Sequence, residues 1–72
     1  MTKKQLKQLA KKIADYEYII KFSKDKNEVE DAKRKMIQAT DSAKIEDLNE
    51  MMQLDTYTQS YIDEKINATQ NI

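Results

Sequence analysis

Leu54, Tyr57 and Tyr61 recur at spacings of three and four, which puts them on one side of a helix. Large amphipathic rings on a helix face are what protein interfaces favour, because they supply contact area at low entropy cost. Tyr18 and Phe22, at i and i+4, form a second small aromatic patch. Both groups are candidate protein-interface residues. The competing reading is that the tyrosines sit half-exposed at the edge of a core.

Lys4, Lys7 and Lys11 offer a different chemistry. They fall opposite the apolar seam of their own helix, where a row of ammonium groups would meet nucleic-acid phosphates. Against this reading, Arg34 is the only arginine among 13 basic residues. Arginine dominates bidentate base and phosphate recognition. A nucleic-acid-binding or nucleotide-sequestering role is therefore the alternative to protein binding. An anionic membrane surface is a third option for the same face, disfavoured because the helix has no tryptophan and its seam suits another helix.

Asp55 lies between Met52 and Ile62 on an apolar face, where a buried base would sit. A register-setting partnership with a lysine is the commoner use of such a residue. Glu46, Asp47 and Glu50 could attract a hard cation, but they lack the glycine and ligand spacing of an EF-hand loop. The sequence has no histidine, cysteine or glycine. That excludes Ser-His-Asp chemistry, thiolate nucleophiles, the usual zinc ligand sets and glycine-rich phosphate loops. No catalytic residue, metal or cofactor is expected, and the chain is read as a non-enzyme. Met51 and Met52 suit an adaptable surface or, more commonly, core filling.

These side chains must be positioned by helices. Glycine and proline are absent, and Lys, Gln, Glu, Ala, Leu, Met and Ile are common. A first helix is expected over 2–22, with Thr2 and Gln5 as a capping box and Met1 and Leu6 as a hydrophobic staple. Its seam is Leu6, Leu9, Ile13, Tyr16 and Ile20, with Ala10 beside it, in coiled-coil-like spacing. The polar stretch 23–27 reads as a connection, with Asp25 or Asn27 capping the next helix.

A second helix is expected over 27–40, with a narrow stripe of Val29, Ala32, Met36 and Ala39. Glu30–Arg34 and Asp31–Lys35 are favourable i,i+4 pairs. Thr40-Asp41-Ser42 reads either as a second break, with Asp41 or Ser42 capping a third helix over 42–66, or as a stretch through which the second helix continues, since no glutamate or glutamine completes a capping box there. The segment 67–72 is expected to fray. On the third helix, Ile45, Leu48, Met52, Ile62 and Ile66 share one face, and Leu54, Tyr57 and Tyr61 lie more than a quarter turn away. Two apolar faces suggest two partners, one within the chain and one outside it.

The 72 residues carry no net charge, but the balance is uneven along the chain. Residues 1–26 hold eight lysines against Asp15, Glu17 and Asp25, a net of +5. Residues 45–72 hold only Lys65 against six acids, a net of −5. The ends are expected to neutralise each other, within one bundle or between subunits.

The expected architecture is one all-α domain over 1–72. It is a small three-helix bundle, or a helical hairpin with a long third helix. A core this small supplies only a few kcal/mol, roughly 3–5, so a homo-oligomer is expected. The leading functional expectation is a non-enzymatic interaction module that self-associates and presents a helical surface to another protein. Lysine-for-arginine usage and eight isoleucines fit an AT-rich genome, and with the small size they suit a virus-encoded accessory or inhibitory protein. No apolar run approaches the ~20 residues of a bilayer span. An intracellular, cytoplasmic location is expected (host cytoplasm if the gene is viral).

Overall fold

Three helices make up the computed structural model, which describes residues 1–70, with side chains through residue 68. They are α1 (Lys3–Phe22), α2 (Lys26–Ala43) and α3 (Leu48–Gln70). The protein is thus all-α. The segment expected to fray, 67–72, is helical through Gln70; residues 71–72 lie outside the described residues.

The start of α1 follows from its first residues. The Gln5 N–H donates to Thr2 Oγ1 at 3.1 Å, and the Thr2 N–H donates to Gln5 Oε1 at 2.9 Å. This reciprocal pair satisfies donors that the first turn leaves open. The first turn holds no acid and begins with Lys3 and Lys4. Cations are the wrong sign for the positive end of a helix, at a cost of about 0.3–1 kcal/mol each.

A three-residue link then reverses the chain. Asp25 caps α2 by accepting the Asn27 N–H at 2.9 Å, and its own N–H donates to Ser23 Oγ at 3.2 Å. Along α2, Asp31 gathers both Arg34 and Lys35, the latter at 2.9 Å. Arg34 therefore does not pair with Glu30 as its i,i+4 spacing predicts; Glu30 approaches Lys33 instead, at 3.9 Å. Hydrogen bonds from Lys35 and then Arg34 hold the Asp31 carboxyl below the ordinary aspartate value.

The break expected at Thr40-Asp41-Ser42 is absent, because α2 runs on to Ala43. The Thr40 hydroxyl donates to the carbonyls of Met36 (3.1 Å) and Ile37 (2.9 Å). A hydroxyl bonded back into its own helix is not available to cap another. The chain turns at Lys44 instead, which takes left-handed backbone angles (φ 50°, ψ 44°). Asp47, rather than Asp41 or Ser42, caps α3, accepting the Asn49 N–H at 2.8 Å.

Helix α1 packs against both α2 and α3, whereas no Cα of α2 comes within 8 Å of one in α3 among the described residues. Cross-contacts give the direction of the α1–α3 pair. The Met1 ammonium meets Glu50 at 2.9 Å, and Lys65 Nζ meets Asp15 Oδ1 at 2.7 Å. Lys7 and Lys11 lie over the rings of Tyr57 and Tyr61. Each of these pairs joins residues about fifty positions apart in ascending order, so α1 and α3 run parallel. The link 44–47, about 14 Å at most when extended, passes the N-terminal end of α1 to bring the chain from one flank to the other.

The core reflects this plan. Its buried residues are Leu6, Leu9, Ala10, Ile13 and Ala14 of α1, Ala32 of α2, and Thr58 and Ile62 of α3. At about 100° per residue, the α1 set spans a wide arc, as two neighbours require. Ala14, which the seam reading omits, belongs to the second side of that arc. Tyr16 and Ile20 of the expected seam are half-buried. The molecule is a slab, 35 × 28 × 16 Å in its Cα extents.

Lys44 pays the left-handed penalty that glycine avoids. Lys44→Gly should therefore raise unfolding stability by about 0.5–1 kcal/mol in urea titration. A loss of stability would mean that the Lys44 conformation is not the one described.

Candidate interaction surfaces

Helix α3 turns toward α1 a face that is only in part the one its hydropathy suggests. Thr58 and Ile62 are buried, and Leu54, Tyr57, Tyr61 and Lys65 beside them are half-buried. Leu48 and Met52, expected inside, are 69% and 62% exposed, and Met51 is 45% exposed. The expected inner face is thus split: Ile62 is buried as its place predicts, whereas Leu48 and Met52 are exposed. Leu54, Tyr57 and Tyr61 line the α1 side of α3 beside Ile62, and Leu48, Met51 and Met52, in the first turns of α3, are exposed. Ile45 and Ile66 are half-buried.

The physical reason lies across the interface. Lys7 Nζ sits 5.6 Å from the centroid of Tyr57, and Lys11 Nζ sits 5.5 Å from that of Tyr61. An ammonium over an aromatic face is attracted by the ring quadrupole, and the lysine stem covers the ring edge. The tyrosines thus gain partners that only the neighbouring helix supplies. Thr58 completes this side of α3. It is 5% exposed, and its hydroxyl donates to the Leu54 carbonyl at 2.7 Å, so no buried polar atom is stranded. Small residues are buried on both helices, Thr58 on α3 and Ala10 and Ala14 on α1, which suits close approach of the two backbones. That small pair at i and i+4 in α1 is the sequence signal that points to a second packing side.

The second aromatic patch is assembled as its spacing predicts. The Tyr18 and Phe22 rings lie 4.8 Å apart at an interplanar angle of 41°. Phe22 is 52% exposed, and Lys65 of α3 reaches over Tyr18 at 5.4 Å. These rings close the C-terminal end of the α1–α3 seam.

The candidate cations are brought together in part. Lys4, Lys7 and Lys11 are exposed. They do not stand alone opposite every neighbour, because two of them lie over α3 rings. With Lys3, Gln8 and Tyr61 they line a shallow groove between the two helices. Among the described residues, no α1 lysine closes an ion pair with an α3 carboxylate. The basic start and the acidic end do meet within one chain, through the Met1 ammonium and Glu50 rather than through a lysine.

Asp55 is exposed, on the outward side with Met52. It is not the buried carboxylate that a place on the apolar face suggests. The acids near the start of α3 have separate tasks, since Asp47 caps the helix and Glu50 takes the Met1 ammonium. Among the described residues, no three acidic side chains converge as a cation site requires. No helix there is long and apolar enough to cross a membrane.

Comparison with protein-family models, curated protein sequences and solved structures returns no match. Function must therefore be argued from the surfaces themselves.

The lysine–tyrosine contacts are measurable. A double-mutant cycle with Lys7→Met and Tyr57→Leu, followed by urea unfolding, should give a favourable coupling of about 0.5–1 kcal/mol. A coupling of zero would mean that the ammonium does not rest on the ring.

Proposed function

We propose that this protein is a small non-enzymatic helical interaction module that associates with copies of itself and presents a helical surface to another protein. The observation that carries this reading is the outward apolar patch of Leu48, Met51 and Met52, at i, i+3 and i+4 on the first turns of α3. Solvated helix faces are normally polar, and contiguous apolar patches mark contact sites. Methionine suits such a site because its flexible thioether adapts to irregular partners. Asp55 bounds the patch on its C-terminal side. Phe22 and Ile37, 52% and 56% exposed, are further apolar side chains outside the core.

The surface arithmetic supports a partner of substantial size. The chain exposes 5550 Å². A compact monomer of its 8.5 kDa would expose about 4,700 Å². The excess, close to 900 Å², compares with the ~800 Å² that one protomer buries in a standard interface. The radius of gyration is 12.7 Å, against about 11.2 Å for a compact chain of this length. Both departures have the same origin, a slab whose third side is left open. A second copy is the simplest partner, since symmetric homodimers are the commonest oligomers.

The interface therefore centres on Leu48, Met51 and Met52, with Tyr18 and Phe22 as a second, separate contact. Leu54, Tyr57 and Tyr61 support it from the inner side of α3. Sedimentation equilibrium tests the reading. The wild-type chain should sediment as a dimer or larger at tens of micromolar, and Leu48→Lys with Met52→Lys should give a monomer of unchanged helicity. A wild-type monomer at that concentration, or a double variant of undiminished mass, would overturn it.

A further inference from the structure

We infer that the groove between α1 and α3 binds the phosphate backbone of single-stranded nucleic acid. The inference is independent of self-association, which uses Leu48, Met51 and Met52 at the start of α3.

The groove has two contiguous halves that share Lys11 and Tyr61. The half nearer the start of α1 contains Lys3, Lys4, Lys7 and Lys11, and no carboxylate lines it. Lys7 and Lys11 are one helical turn apart, about 6 Å along the axis. Their ammonium groups are held over the Tyr57 and Tyr61 rings rather than waving in solvent. Lys3 and Lys4 extend the row at the helix end whose own field is positive. Four cations stacked on a positive helix end repel one another, and an anion laid along them relieves that repulsion.

Charge and ring placement select the kind of anion. A groove that tracks a backbone with cations and borders it with aromatic side chains is the arrangement that receives single strands. Tyr61 lines both halves, and the Tyr18–Phe22 pair stands on the same side of α1 further along. Duplex readout is disfavoured by shape. A recognition helix must enter a major groove about 12 Å wide, and α1 is flanked by α2 and α3 in a slab 28 Å across. Of the acids near the groove, Glu50 is taken by the Met1 ammonium at its lysine end, Asp55 is exposed and lines neither half, and Asp15 and Glu64 lie in its far half. Asp15 is already paired with Lys65. These two carboxylates limit the footprint to the lysine end.

The test is fluorescence anisotropy with a labelled 20-nucleotide oligothymidylate and the full chain at 50 mM salt. Binding through the four lysines of the groove should weaken roughly 50-fold between 50 and 200 mM salt, a log–log slope near −2.8. Lys4→Gln with Lys7→Gln and Lys11→Gln should abolish binding at 50 mM salt. Should that variant lose helicity, Lys3→Gln with Lys4→Gln serves in its place, because it removes only the two cations that disfavour the helix end. That variant should reduce the slope by about 1.4. Lys24→Gln with Lys33→Gln and Lys44→Gln removes the same charge outside the groove and should leave affinity within about twofold, given that the counterion effect counts contacted phosphates. The inference is overturned if nothing binds at 50 mM salt, or if the two triple variants weaken binding alike. It is also overturned if the duplex binds as tightly as the single strand, or if polyglutamate of equal charge competes as well as the unlabelled strand, which would make the ligand an acidic protein.

Discussion

Among the described residues, both packed helix pairs of this protein include α1. Helices α2 and α3 flank it and do not approach each other, so α1 is the one wall that both share. This constraint accounts for the composition of α1. A helix with two neighbours needs a wide apolar arc, and α1 supplies it with Leu6, Leu9 and Ile13 plus the small Ala10 and Ala14. It also accounts for what the other helices leave uncovered. Each buries one narrow strip and has nothing else in the chain to lie against. The outward Leu48, Met51 and Met52 are the largest consequence, and the proposed self-association is the proposed remedy.

The ends of the helices were legible in the residues wherever a side chain could only do one thing. Thr2 with Gln5, and Asp25, cap the helices that their positions predict. The second break lies a few residues beyond Thr40-Asp41-Ser42, since the Thr40 hydroxyl bonds back to carbonyls of its own helix and α2 continues to Ala43. Lys44 gave no warning, since a left-handed lysine carries no mark that distinguishes it from any other. The composition of α1 and the three-helix plan were likewise readable from spacing.

The inner face of α3 is legible only in part: Ile62 is buried as its spacing predicts, whereas Leu48 and Met52 are exposed. Leu48 and Met52 outrank tyrosine in hydropathy, so periodicity on one helix assigns them to the core. What reverses the assignment is a property of the pair of helices. Lys7 and Lys11 reach rings that stand fifty positions later, and no window along one segment contains both partners. The same pairing changes the meaning of the charge gradient. The basic start and acidic end lie side by side in parallel, yet the lysines spend their contacts on aromatic faces and leave their charge available at a groove. The proposed nucleic-acid site and the proposed self-association surface therefore rest on different residues, the first on the α1 lysines and the second on the start of α3.

The parallel order of α1 and α3 underlies all of this, and electron–electron distance measurement tests it most directly. The chain has no native cysteine, so spin labels can be placed at Lys4→Cys with either Gln53→Cys or Asp63→Cys. Parallel helices place position 53 beside position 4 and displace position 63 by about 13 Å along the axis. The 4–53 distance should therefore be the shorter. A shorter 4–63 distance would mean that the helices run in opposite directions, and the groove, the ring contacts and the outward patch described here would not exist.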